Sequence, residues 1–252
     1  MNESLDRPID VPQLTAEEIL SRVLHRDGLM LVIDKPAGLP VHRGPKGGPN
    51  LEASFDALRF GLPRPPVLAH RLDKDTSGCL VLGRHRKATA SLGLLFKHGK
   101  ISKTYWAAVE GGPLEDEGTI DMPLGRLNAE RGWWQKVDPD GQTAVTNWKV
   151  MGRGTGLTWL ALEPVTGRTH QLRVHAAAQG WPIVGDNIYG TQASVRRLRN
   201  EKFIPRFGEP RLHLHSREIG IPISRNKEPV RVTAPAPEHM RERLRLCGWN
   251  GE

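Results

Sequence analysis

Short apolar runs, broken by glycine, proline and polar residues, set the pattern of this chain. Leu29-Met30-Leu31-Val32-Ile33 follows the turn Arg26-Asp27-Gly28 and stops at Asp34-Lys35-Pro36, which is the form of a buried strand. Cys79-Leu80-Val81-Leu82 has the same form. Residues 102–111 alternate and are β-prone, and strand-like runs at 145–150 and 157–162 lie among the glycine and proline turns of residues 112–160. Recurrent short strands there predict an antiparallel meander. Helical spacing is rarer. Leu51, Phe55 and Leu58 predict a short amphipathic helix halted at residues 63–66. Ala88, Leu92, Leu95 and Phe96 share one face of a helix over 87–100 that closes at Gly99, and a third helix spans about 170–179. Thr15-Ala16-Glu17-Glu18 has the form of a capping box, but residues 19–24 fit a helix or a strand equally. A strand-like run at 230–237 and a helix-like one at 238–246 close the pattern.

Composition narrows the class. With 252 residues, an apolar fraction of 38% and a mean hydropathy of −0.45, the chain can bury a substantial core. No apolar run approaches the roughly 20 residues of a membrane span, and residues 1–26 carry acids and no signal-peptide core, so a cytoplasmic protein is expected. Cys79 and Cys247 are too few for a disulfide framework and read as free thiols. The 36 Lys and Arg against 28 Asp and Glu give a net charge of +8, an excess that suits a polyanionic partner. Its densest part, residues 195–211, is either a solvated loop or an RNA-backbone contact. Residues 43–50 are rich in glycine and proline without a phosphate-loop pattern.

The chemistry concentrates in His70-Arg71-Leu72-Asp73-Lys74-Asp75-Thr76-Ser77-Gly78, which leads into the second buried strand. Asp73 lies between Arg71 and Lys74, and nearby positive charge favours the ionised carboxylate, a form able to act as nucleophile or base. Thr76, Ser77 and Gly78 are turn and capping types that fold the chain back before the strand. An Asp in such a loop is commonly only a turn residue, so the wider pattern has to decide. His170, His175, His213 and His215 invite a metal reading, but neither a helical i, i+4 pair nor a cysteine completes a ligand spacing, and no metal or cofactor is expected. Trp133 and Trp134 lie in a charged, glycine-flanked segment; of two adjacent strand residues, at most one can face a base.

Four stretches, in order, resemble the signatures of RNA pseudouridine synthases of the large-subunit-rRNA/tRNA uridine synthase A type. They are the Asp34-Lys35-Pro36-Ala37-Gly38 loop, His70-Arg71-Leu72-Asp73, Lys103-Thr104-Tyr105, and Gly167-Arg168-Thr169-His170-Gln171-Leu172-Arg173-Val174-His175. The resemblance runs from about residue 23 to residue 240. It implies an α+β fold built on a mixed, mostly antiparallel sheet with flanking helices and a central basic cleft. Residues 1–22 are then a polar leader and 23–252 one catalytic domain, without the separate N-terminal RNA-binding domain many relatives add.

By the same resemblance, Asp73 is the catalytic residue and Arg173 pairs with it. Tyr105 stacks on the base and helps remove the final proton. Arg71 fills the space left by the flipped nucleotide, and Arg168 is a further RNA-binding residue; Lys35, at the end of its strand, either approaches RNA phosphate or is a solvated charge. The implied reaction is uridine isomerisation in a ribosomal or transfer RNA stem-loop by a monomeric enzyme. A non-catalytic RNA-binding protein would share the charge and aromatic residues but has no use for an acid beside a cationic cluster. A histidine-dependent RNA hydrolase would cleave the chain, whereas isomerisation leaves its length and mass unchanged.

Overall fold

The computed structural model describes residues 13–44, 47–127, 134–191, 212–224 and 226–251. The strands are β1 (Val23–Arg26), β2 (Met30–Lys35), β3 (Val67–Leu68), β4 (Ser77–Gly83), β5 (Ser102–Glu110), β6 (Glu117–Asp121), β7 (Leu124–Arg126), β8 (Gln135–Val137), β9 (Val145–Gly154), β10 (Leu157–Pro164), β11 (Leu214–Ile221) and β12 (Val230–Thr233). The helices are α1 (Ala16–Ser21), α2 (Arg86–Lys97), α3 (Gln171–Ala178) and α4 (Glu238–Leu246), with a 3₁₀ helix over Leu51–Leu58. One large sheet runs β1-β2-β4-β11-β5-β10-β9-β6, with β3 on β4 and β12 on β11, while β7 and β8 form a separate ladder. All pairings in the large sheet are antiparallel except β4 with β11. This is the mixed α+β architecture expected.

Unbroken apolar sequence lets β2 and β4 lie inside the sheet with both faces covered, because a strand covered on both faces needs no polar side. Successive residues go to opposite faces. Leu31, Ile33, Leu80 and Leu82 join one core with Ile19 and Phe55, whereas Met30, Val32, Cys79 and Val81 join another with Leu92 and Ile219. A third core packs β5 and β10 against α3 through Ala107, Leu160, Leu172 and Ala176. On the opposite face of those strands, Trp106 and Trp159 pack on Met240 and Leu244 of α4.

Three expectations change. The leader does not extend over residues 13–22: Leu14 and Ile19 are buried in the first core, and Gln13 bonds the Asn50 carbonyl and the Ser54 hydroxyl. The ambiguity at 19–24 resolves into both elements in succession. The Thr15 capping box starts α1, and β1 follows its end directly. Residues 112–160 are antiparallel but not a meander, since β6 pairs with β9 and β10 crosses to β5.

The parallel contact between β4 and β11 dictates one glycine. Gly78 has φ +102 and lies opposite Ser216, so a Cβ there would collide with the Ser216 carbonyl and His215 ring. Left-handed strain and overpacking add, and Gly78→Ala is expected to cost about 3 kcal/mol. For a domain of this size that lowers Tm by about 6–12 °C. A calorimetric Tm within about 2 °C of wild type would refute this close approach.

Candidate active site

The signature loop is held from behind by Lys35. This side chain, at the end of β2, is fully buried, and its Nζ donates to the carbonyls of Pro36, Lys74 and Thr76, each at 2.9 Å. Burial pushes its pKa down to about 7, against the pull of Asp75, Asp73 and Asp34. Three carbonyls match the three donors of an ammonium, which is the form this geometry holds. The Gly38 N–H also donates to the Lys74 carbonyl, and the Ser77 hydroxyl meets His215 Nδ1 at 2.9 Å. The chain that follows Asp73 is thereby tied to the sheet. His70 lies under the loop, its ring stacked on Phe96 and its Nε2 accepting the Val81 N–H. Burial, with Lys103 nearby, lowers its pKa to about 3 and keeps it neutral.

The facing wall comes from α3. Arg173 is buried, and its Nε and Nη2 donate to the two carboxylate oxygens of Asp186 at 2.7 and 2.8 Å. Asp186 Oδ1 also accepts the N–H groups of Ile188 and Tyr189. Burial acts to raise the Asp186 pKa, but Arg173 and these backbone donors outweigh it and hold it below the usual carboxylate range. His170 precedes α3 with φ 53, a left-handed conformation uncommon outside glycine. Its Nε2 is 3.8 Å from Asp73 Oδ2, and its Nδ1 is 2.9 Å from the Tyr189 hydroxyl.

Between the walls opens a cleft of about 710 Å³, with Tyr105 of β5 among its lining residues. Tyr105 packs against both the first and the third cores. Burial pushes its phenol pKa up, only partly offset by a hydrogen bond with Ser216, so Tyr105 enters the site protonated. That suits a stacking surface. Arg71, Lys97 and Arg168 are exposed on the lining, and Lys103 is half-buried there. Among the described lining residues Asp73 is the only acid, against five Lys and Arg.

Asp73, Tyr105, Arg71, Arg168 and Arg173 therefore converge on one cleft. Lys35 does not join them: its ammonium is enclosed by loop carbonyls, which corrects the expected phosphate contact. Arg173 likewise bonds Asp186 rather than Asp73, and acts on Asp73 through charge alone. Sequence reasoning left Asp186 and Tyr189 without a role, and weighed His170 only as a metal ligand. No local signal pairs Arg173 with a carboxylate beyond the end of its own helix. Residues 195–211 and Trp133 lie outside the described residues, and Trp134 is half-buried and absent from the cleft lining.

Comparison with known proteins shows the family. The family model described as RNA pseudouridylate synthase matches residues 29–178. An uncharacterised RNA pseudouridine synthase of Zymomonas mobilis is 42% identical over 222 residues, covering 87% of this chain and 95% of that protein. The ribosomal large subunit pseudouridine synthase D of Xanthomonas campestris is 37% identical over 233 residues, covering 89% of this chain and 68% of that one. Among solved structures, human RNA pseudouridylate synthase domain containing 4 superimposes with a TM-score of 0.72 at 28% identity, covering 91% and 95% of the two chains.

Proposed function

Since this chain belongs to the RNA pseudouridine synthase family and is an isomerase of that class, we propose that it converts a uridine in a ribosomal or transfer RNA stem-loop, with Asp73 as the catalytic carboxylate. The observation that carries this reading is the lone acid among the described lining residues of a cationic cleft. A surface that only bound phosphate would gain nothing from Asp73, which repels it. The reaction breaks the bond from C1′ to N1, turns the uracil, joins C1′ to C5, and releases the C5 hydrogen while N1 gains one. Asp73 acts on the ribose, Tyr105 presents its ring to the base, and Arg173 supplies a fixed positive charge near the carboxylate. Arg168 meets the backbone, its Nε held by the Thr143 carbonyl at 2.9 Å with the rest of the guanidinium exposed. A monomer is the working unit this reading assumes. Among the described residues no helix is long and apolar enough to cross a membrane. The cytoplasm is the compartment this reading assigns.

The test is tritium release from ribosomal and transfer RNA transcripts labelled at uridine C5. Release without strand cleavage is expected from at least one, and cleavage would instead favour a hydrolase. Arg71, exposed two positions before Asp73, is assigned the space of the flipped nucleotide. Arg71→Ala is expected to slow single turnover about tenfold or more on a structured stem-loop, and far less where the uridine is already extrahelical, because the few kcal/mol of unstacking is then absent. Equal losses on both RNAs would remove the flipping role.

A further inference from the structure

His170 is the feature that the assigned roles leave unexplained. Its side chain is 6% exposed, its backbone is left-handed, and it makes no capping bond to α3. Backbone strain of this kind persists where the surroundings enforce it, typically in sites that need one side chain placed. Here the enforcing groups are visible. Tyr189 OH accepts the Gln135 N–H at 3.0 Å, so its own hydrogen is directed at His170 Nδ1. Assigned from this network, the imidazole hydrogen resides on Nε2, the nitrogen that faces Asp73. Tyr189 is in turn held by Asp186, through its N–H at 2.9 Å, and its ring lies under the Arg173 guanidinium at 5.3 Å. One buried carboxylate thus organises both groups that face Asp73 from the α3 wall.

We propose that His170 is a positioning residue for Asp73: a neutral imidazole, fixed in tautomer by Tyr189, whose Nε2–H orients the carboxylate toward the ribose. The present 3.8 Å separation is longer than a hydrogen bond and closes when RNA fills the cleft, as such contacts commonly do. Burial and the Arg173 charge lower the imidazole pKa, while Asp73, Asp186 and Asp75 raise it, and the net shift is downward. The neutral form follows. An imidazolium would instead pair with the carboxylate as a charge.

The inference rests on Asp73 being the catalytic carboxylate, and the experiment separates the two. Asn and Gln replace His170 in complementary ways. Asn accepts the left-handed backbone best but its amide stops short of Asp73; Gln fits that backbone less well and carries an N–H where Nε2 was. Tritium release is measured on whichever labelled transcript the wild type converts. His170→Asn is expected to lower kcat by about tenfold to a hundredfold with KM within about threefold, and His170→Gln to recover a large part of the loss. Thermal stability should follow the opposite order, Asn at or above Gln. Tyr189→Phe keeps the ring under Arg173 and removes only the hydroxyl, so it should lower kcat in the same direction even if neither His170 variant folds. Wild-type kcat in His170→Asn or Tyr189→Phe, or activity that merely follows stability across the series, would overturn the proposal. Full turnover in Asp73→Asn would instead overturn the underlying assignment of Asp73.

Discussion

Asp73→Asn is expected to reduce uridine isomerisation at least about a thousandfold while RNA affinity stays within a few fold. The amide keeps the size of the side chain and cannot act as nucleophile or base. Two features make this a clean test. Asp73 is not the hydrogen-bonded partner of Arg173, which stays locked to Asp186, so no buried charge is orphaned. The loop after Asp73 is anchored through the backbone carbonyls of Lys74 and Thr76 to Lys35, and not through the Asp73 side chain. Tm should therefore move by no more than about 2 °C. Loss of a negative charge from a cationic cleft should, if anything, tighten phosphate binding. Residual tritium release above a few per cent of wild type would remove Asp73 from the chemistry.

Asp186→Ala is expected to destabilise the fold by about 3–5 kcal/mol, a fall in Tm of roughly 6–20 °C, because it leaves the Arg173 guanidinium buried without its partner. Two backbone donors, Ile188 and Tyr189 N–H, lose their acceptor as well. The pH dependence has a definite sign. The folded Asp186 carboxyl is held below its usual range, so its stabilisation is present above an unfolded value near pH 4 and is lost as pH falls through the folded value. Wild type should thus lose this contribution on acidification, and the gap to Asp186→Ala should narrow below about pH 4. Denaturant titrations of both proteins between neutral pH and pH 3 would measure it. A constant gap across that window would show that the Arg173 pair contributes nothing titratable. Activity should fall too, since the same carboxylate sets Arg173 and, through Tyr189, His170.

What the sequence by itself determined is local or contiguous. The capping box at Thr15, the helix face of Ala88 and Leu92, and the buried strand runs at 29–33 and 79–82 follow from periodicity and from end signals within a few residues of each element. The residues of the cleft were likewise visible as motifs, because Asp73, Tyr105 and Arg173 each sit in a short run of informative neighbours. Only the tertiary structure decided which groups those residues face. Lys35 is a polar side chain after an apolar strand, and nothing nearby says that loop carbonyls 39 and 41 positions away will enclose its ammonium. Gly78 reads as a turn residue until β11 pairs in parallel with β4, bringing Ser77 and His215 together across 138 positions. Arg173 prefers Asp186 over Asp73 because the 183–189 turn delivers a second carboxylate into bidentate geometry in a buried site, where an unpaired guanidinium would be too costly to keep. Hydrophobic pattern acts over one or two turns of chain and so survives in the sequence. Electrostatic pairing depends on distance in space, and that exists only once the sheet has closed around the cleft.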